Sequence, residues 1–131
     1  MAMRDYQRQK NNKWILPKNV YRQTLWLIRD YYRMKEELKR IMEESPSPSD
    51  GMPRGSGTGR PVEAIVIRRE RYADKVREID RALDVVPEEY QAGVWQSILY
   101  GAPYPEDAAR RTYGVWKARF IHEVAVRCGL I

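Results

Sequence analysis

One segment constrains the fold of this chain more than any other: residues 45–60, which read SPSPSDGMPRGSGTGR. Eleven of these residues are Gly, Pro or Ser, and they include half of the eight glycines in the chain. Glycine adds backbone freedom and proline removes a hydrogen-bond donor, so we predict neither helix nor strand there. The 131 residues therefore divide into an N-terminal arm (1–44), a linker (45–60) and a C-terminal domain (61–131).

The arm is predicted to contain one long amphipathic helix over about 18–44. Apolar residues recur at spacings of three and four from Leu25 to Ile41, and Pro17 suits the first turn. Because its apolar surface is wide, we expect this helix to pack antiparallel to helix 61–84 or against a second copy of the chain, in a homo-oligomer. Four aromatic side chains of the arm favour burial in such an interface over stacking on nucleic-acid bases: Trp14, Trp26, Tyr31 and Tyr32.

The C-terminal domain is predicted to contain helices and no strand, which makes the fold class all-α. Its first helix runs over about 61–84. The next begins after Pro87, where two glutamates match the helix dipole, and ends at Gly101 as a left-handed cap. Pro103 and Pro105 then leave room for a single helical turn over 106–110.

The last helix is predicted over about 113–128, with Thr112 as its N-cap and Gly129 at its end. Projection at 100° per residue separates an apolar face from an outer face that mixes basic and small side chains. The expected core of the domain consists of Trp95, Phe120 and Val124. The outer face consists of Arg111, Val115, Ala118, Arg119, His122 and Val126.

Composition excludes several classes of function. Residues 1–40 hold 11 Lys and Arg against 4 Asp and Glu, so the net charge of +6 lies in the arm and favours a polyanionic partner. With one cysteine and one histidine, we expect no disulfide framework, no metal site, no cofactor and no enzymatic activity. The GSGTG run lacks the flanking strand and the Lys-Ser/Thr pair of a phosphate loop. Because no signal peptide or membrane span is evident, we expect a cytoplasmic protein without a membrane partner.

The order of elements in the C-terminal domain is that of a helix-turn-helix: a helix closed by glycine, a short turn-like helix, and a helix opened by basic residues. In this interpretation the last helix enters the major groove of double-stranded DNA. Its phosphate-contacting residues would be Arg110, Arg111 and Lys117. Thr112 and His122 complete the DNA-binding set, with His122 either facing solvent or contacting a phosphate. Its base-facing residues would be Val115, Ala118 and Arg119.

Residues from about 29 to 130 also resemble a known family. The stretches that carry the resemblance are SPSPSDGMPRGSGTG, PVEAIVIRRERYADKVREIDRAL, VPEEYQAGVWQSILYG and TYGVWKARFIHEVAVRCGL. They are similar to phage and prophage transcriptional regulators of the RinA/ArpU type, which activate late or packaging-related genes. The motif positions of that family fall on Thr112, Lys117, Val124, Ala125, Gly129 and Leu130.

The resemblance implies a degenerate helix-turn-helix like region 4 of sigma factors, with DNA and bacterial RNA polymerase as partners in a bacterial host. Here Ala109 and Thr112 are nearly adjacent, whereas several residues separate the corresponding positions of a sigma-like motif. The alternative function is that of a helical adaptor or assembly protein, in which the long aromatic helix binds a partner other than DNA.

Overall fold

The structure is a computed structural model that describes residues 7–10, 12–44 and 59–131. Those residues form α-helices and no strand, which confirms the all-α class. The helices are α1 (Lys18–Arg29), α2 (Tyr31–Glu44), α3 (Gly59–Leu83), α4 (Glu88–Tyr100) and α5 (Arg110–Arg127). None of the helices in these ranges is long and apolar enough to cross a membrane.

The arm helix predicted over 18–44 is interrupted at Asp30, which corrects the expectation of one continuous helix. The amide of Asp30 still bonds to the carbonyls of Trp26 and Leu27, at 3.0 and 3.2 Å. Its carboxylate is held by the Arg33 guanidinium through two hydrogen bonds of 2.6 Å. The two helices on either side of the break have different partners: α1 packs against α4 and α5, whereas α2 packs along α3.

Helix α2 runs antiparallel to α3, which is one of the two arrangements expected for the arm helix, whereas α1 does not follow α3. The Tyr31 hydroxyl donates a hydrogen bond of 2.6 Å to Asp80, and the Arg33 guanidinium lies 5.5 Å from the Tyr72 ring centroid. Residues later in α2 therefore contact residues earlier in α3, as in an antiparallel pair. Both helices of the arm pack against helices of the same chain.

Most of the linker, residues 45–58, lies outside the described residues. Gly59 and Arg60 already belong to α3, so the expectation that residues 59–60 are irregular is wrong. Pro61 lies in the first turn of α3, where its missing N–H has no helical partner to lose.

The ends of α4 and α5 follow the glycine signals of the sequence. Gly101 closes α4 with φ 66°, and Gly129 follows α5 with φ 73°. After α5, the amide of Leu130 bonds to the carbonyl of Ala125 at 2.8 Å, and that of Gly129 bonds to Val126 at 3.2 Å. These two bonds form a Schellman motif, which explains why the helix stops there.

Two predictions near the start of α5 are wrong. No helical turn occurs over 106–110: residues 106–107 form a turn, and α4 is joined to α5 by the loop 101–109. Thr112 is not the N-cap, because α5 begins at Arg110 and the preceding residue is Ala109. The Ala109 carbonyl accepts from the amide of Thr112 at 3.0 Å, so Thr112 lies within the first turn. The predicted helix–short helix–helix order is therefore not present.

The core lies where α5 crosses the other helices. Phe120 and Val124 are fully buried, as predicted, and Trp95 is half-buried with its ring 6.2 Å from that of Phe120. The Tyr31 ring of the arm meets Trp95 edge-on at 4.9 Å. One hydrophobic cluster therefore includes residues from both sides of the linker.

Candidate nucleic-acid interface

The described residues before α1, 7–10 and 12–16, form a compact loop, which we call the strap. The Gln7 side chain closes it by bonding to both the carbonyl and the amide of Leu16, at 2.7 and 2.6 Å. The Asn12 side chain bonds to the Arg8 carbonyl at 2.6 Å and accepts from the Trp14 amide at 2.7 Å. Leu16 is buried in the core and anchors the end of the strap.

The strap lies across the outer face of α5. The Arg8 guanidinium approaches the Arg111 carbonyl at 3.5 Å and stands directly over Gly114. A Cβ atom on Gly114 would come within 2.7 Å of the Arg8 Nη1 atom. A larger residue at position 114 would therefore displace the Arg8 guanidinium from this position. The Trp14 ring lies 5.4 Å from the ring of His122, two turns further along the helix.

Arg119 is not fully exposed to solvent, although the helical projection placed it on the outer face of the last helix. Its guanidinium lies 5.2 Å from the Trp14 ring centroid and 5.9 Å from that of Trp116. This cation–π arrangement fixes the direction of the Arg119 side chain and leaves it half-buried. His122 is half-buried as well, because Trp14 covers it.

The remaining predicted site residues fall into two groups. Arg110, Arg111 and Val115 are exposed. Lys117 instead faces α4, where its Nζ atom donates to the Ser97 hydroxyl at 3.2 Å. Lys117 belongs to the half-buried group, together with Thr112 in the first turn and Ala118 beside the strap. The strip of α5 that can meet a ligand is therefore narrower than the sequence suggested.

The loop before α5 is held by Tyr113. The Tyr113 hydroxyl donates to the Asp107 carboxylate at 2.6 Å, and its ring stacks on Tyr104 at 5.1 Å. The hydrogen bond to Asp107, together with burial, raises the pKa of Tyr113 to about 12. The side chains of the loop thus set the position at which α5 begins, although no short helix is formed.

Two acid-free stretches of the chain meet at this surface. No Asp or Glu occurs from Tyr6 to Arg29, nor from Ala108 to His122. The strap brings Arg8, Lys10 and Lys13 to the basic first half of α5. Sequence reasoning located the excess charge of the arm, but it did not place Arg8, Lys13 or Trp14 on α5. The lack of acids in both stretches is the sequence signal that could have linked them.

Within the described ranges, no three His, Cys, Asp or Glu side chains lie close enough together to hold a metal ion. Burial, with Glu78 nearby, raises the pKa of the Cys128 thiol, which keeps it protonated.

No protein-family model, curated protein or solved structure matches the chain.

Proposed function

We propose that the protein binds double-stranded DNA through α5 and the strap, and that it regulates transcription of phage or prophage genes. The observation that carries the proposal is the meeting of two acid-free, basic stretches on one surface. Positive side chains on one face can neutralise phosphates of the DNA backbone and release the cations condensed on it. The assignment to phage genes rests on the family resemblance, and contact with bacterial RNA polymerase stays a prediction from the same source.

The first half of α5 supplies the strip that would approach the major groove. A groove about 12 Å wide admits one helix. Arg111 lies in the first helical turn and is exposed, so it suits a phosphate. Val115 and Arg119 follow at four-residue intervals, which places them on the same side of the helix. Val115 would contact a thymine methyl group, and Arg119, held between two tryptophans, would pair with guanine.

Binding selection from randomised duplexes, followed by fluorescence anisotropy at several salt concentrations, tests this proposal. Arg111→Ala should weaken all duplexes alike and reduce the salt slope by about one. Arg119→Ala should cost about 1–3 kcal/mol on a selected site and much less on random DNA. Arg68→Ala removes the same charge from the exposed side of α3 and serves as the control. Equal binding by wild type and the Arg111/Arg119 double variant would refute the role of α5.

One observation favours the adaptor function as a second candidate. Trp26 is 63% exposed on α1, beside a groove of about 660 Å³ that includes Leu27 and Leu130. Exposed tryptophans are common anchors of protein–protein contacts. Trp26→Ala should leave DNA binding unchanged, because Trp26 does not line the cavities between the strap and α5. A chain that binds no duplex and loses a protein partner on this substitution would be an adaptor.

A further inference from the structure

A second feature of the strap is the cavity it encloses on the far side of α5 from Arg119. The cavity has a volume of about 530 Å³ and lies between the strap, α5 and the loop that precedes α5. It is lined by Arg8 and Lys10 from the strap and by Arg110 and Lys117 from α5. None of the described residues that line it is an Asp or a Glu.

The described residues of the strap place no carboxylate beside Arg8 or Lys10. The Arg8 side chain donates to two backbone carbonyls, those of Lys10 at 2.9 Å and Arg111 at 3.5 Å. Carbonyl oxygens hold the guanidinium in place but carry no net charge. Like charges brought together beside apolar walls repel one another more strongly than they would in water. An anion in the cavity would remove this cost.

The neighbouring tyrosine is sensitive to the same charges. Tyr104 lines the cavity, and burial raises the pKa of its hydroxyl. A hydrogen bond with Ser97 and the positive charges of Arg8 and Arg110 oppose that rise. The Tyr104 hydroxyl and the Asn12 amide add neutral donors to the lining. The cavity therefore combines charged and uncharged donors.

We infer that this cavity is a binding site for a phosphate group. Arginine and lysine are the side chains that bind phosphate most strongly, arginine through paired hydrogen bonds and lysine as a point charge. The volume lies within the range of small-ligand sites and leaves room for a nucleoside attached to the phosphate. The phosphate has two sources, a free nucleotide and the DNA backbone. The second source rests on the proposed function, whereas the first does not.

Calorimetric titration of the full chain tests the inference with three probes: inorganic phosphate, adenosine monophosphate and a 20-base-pair duplex. The test variant is Arg8→Gln with Lys10→Gln, which removes two positive charges of the strap side. The matched control is Lys18→Gln with Arg22→Gln, which removes two exposed charges of α1 outside the cavity. We expect the test pair to weaken at least one probe about tenfold or more, and the control pair to stay within about twofold of wild type.

A second variant separates loss of binding from loss of the strap. Arg110→Gln changes the α5 side of the cavity at an exposed position and keeps the Arg8 contacts. It should weaken the same probe as the test pair does. If the strap variant alone weakens binding, the effect comes from unseating the strap, and the inference is overturned.

The three probes also identify the source. Binding of adenosine monophosphate that falls in both cavity variants indicates a free nucleotide. A loss confined to the duplex indicates a backbone phosphate. If wild type binds neither phosphate nor the nucleotide, and the cavity variants bind the duplex as well as the control pair does, the inference is refuted. A chain that binds no duplex refutes the proposed function, yet the phosphate and nucleotide titrations still decide this inference.

Discussion

The two faces of α5 are covered in different ways. The inner face presents Tyr113, Phe120 and Val124, all fully buried, to the helices that surround it. The outer face is covered only in part, by a loop whose contacts with α5 are a weak hydrogen bond from Arg8 and aromatic contacts of Trp14. One helix thus has an apolar side that holds the fold and a basic side held by polar and aromatic contacts.

This difference teaches where function can reside in so small a protein. Burial of large apolar side chains contributes most of the stability, so the inner face tolerates little change. Contacts through a half-exposed arginine or a tilted ring pair contribute far less. A surface held by weak contacts can be altered, or bind a ligand, without loss of the fold.

The largest effect is expected on the inner face. Phe120→Ala should lower the free energy of unfolding by about 3–5 kcal/mol, because a fully buried ring leaves a cavity that its neighbours cannot fill. Urea unfolding followed by circular dichroism measures this. The control is Val126→Ala on the same helix, where the side chain is 48% exposed and little change is expected. Similar midpoints for the two variants would show that the faces do not differ in this way.

Two helical glycines provide an intermediate comparison. A Cβ on Gly93 of α4 would lie 2.5 Å from the Tyr113 ring and 2.9 Å from Pro105, so Gly93→Ala should cost about 1–3 kcal/mol through overpacking. A Cβ on Gly114 meets only the flexible end of Arg8. Gly114→Ala should therefore raise stability, by up to about 1 kcal/mol, through helix propensity.

The same pair of substitutions also reports on the strap. Displacement of the Arg8 guanidinium by Gly114→Ala should speed tryptic cleavage at Lys10 and Lys13, while the body of the protein melts at the same temperature or higher. Gly93→Ala should lower the melting temperature without a selective effect on those sites. A destabilised Gly114→Ala variant would mean that the Arg8 contact contributes more to stability than the helix propensity that alanine adds.

The smallest effect is expected for the aromatic contact of the strap. Trp14→Ala removes the ring pair with His122 and the cation–π contact with Arg119, and should cost about 1 kcal/mol. Thermal unfolding measures the cost, and hydrogen exchange along α5 should rise only on its outer face. A loss as large as that of Phe120→Ala would contradict the distinction between the two faces.

The sequence by itself determined the parts of this protein that depend on near neighbours. Pro17 marked the start of α1, and Gly101 and Gly129 marked the ends of α4 and α5, because each acts on the backbone within one turn. Helical periodicity placed Phe120 and Val124 on the buried face. The 3.6-residue period identifies the apolar face of a helix whatever segment packs against that face.

Only the tertiary structure decided what covers the outer face of α5. Arg8 reaches a carbonyl 103 residues away, and Trp14 reaches His122 and Arg119 over a similar separation. Periodicity indicates that a face is polar, but it carries no information about which distant segment packs there. The true start of α5 and the break at Asp30 were likewise decided by packing, because each depends on side chains beyond its own turn or on the neighbouring helices. Local preferences are worth a few tenths to one kcal/mol per residue, and such contacts override them.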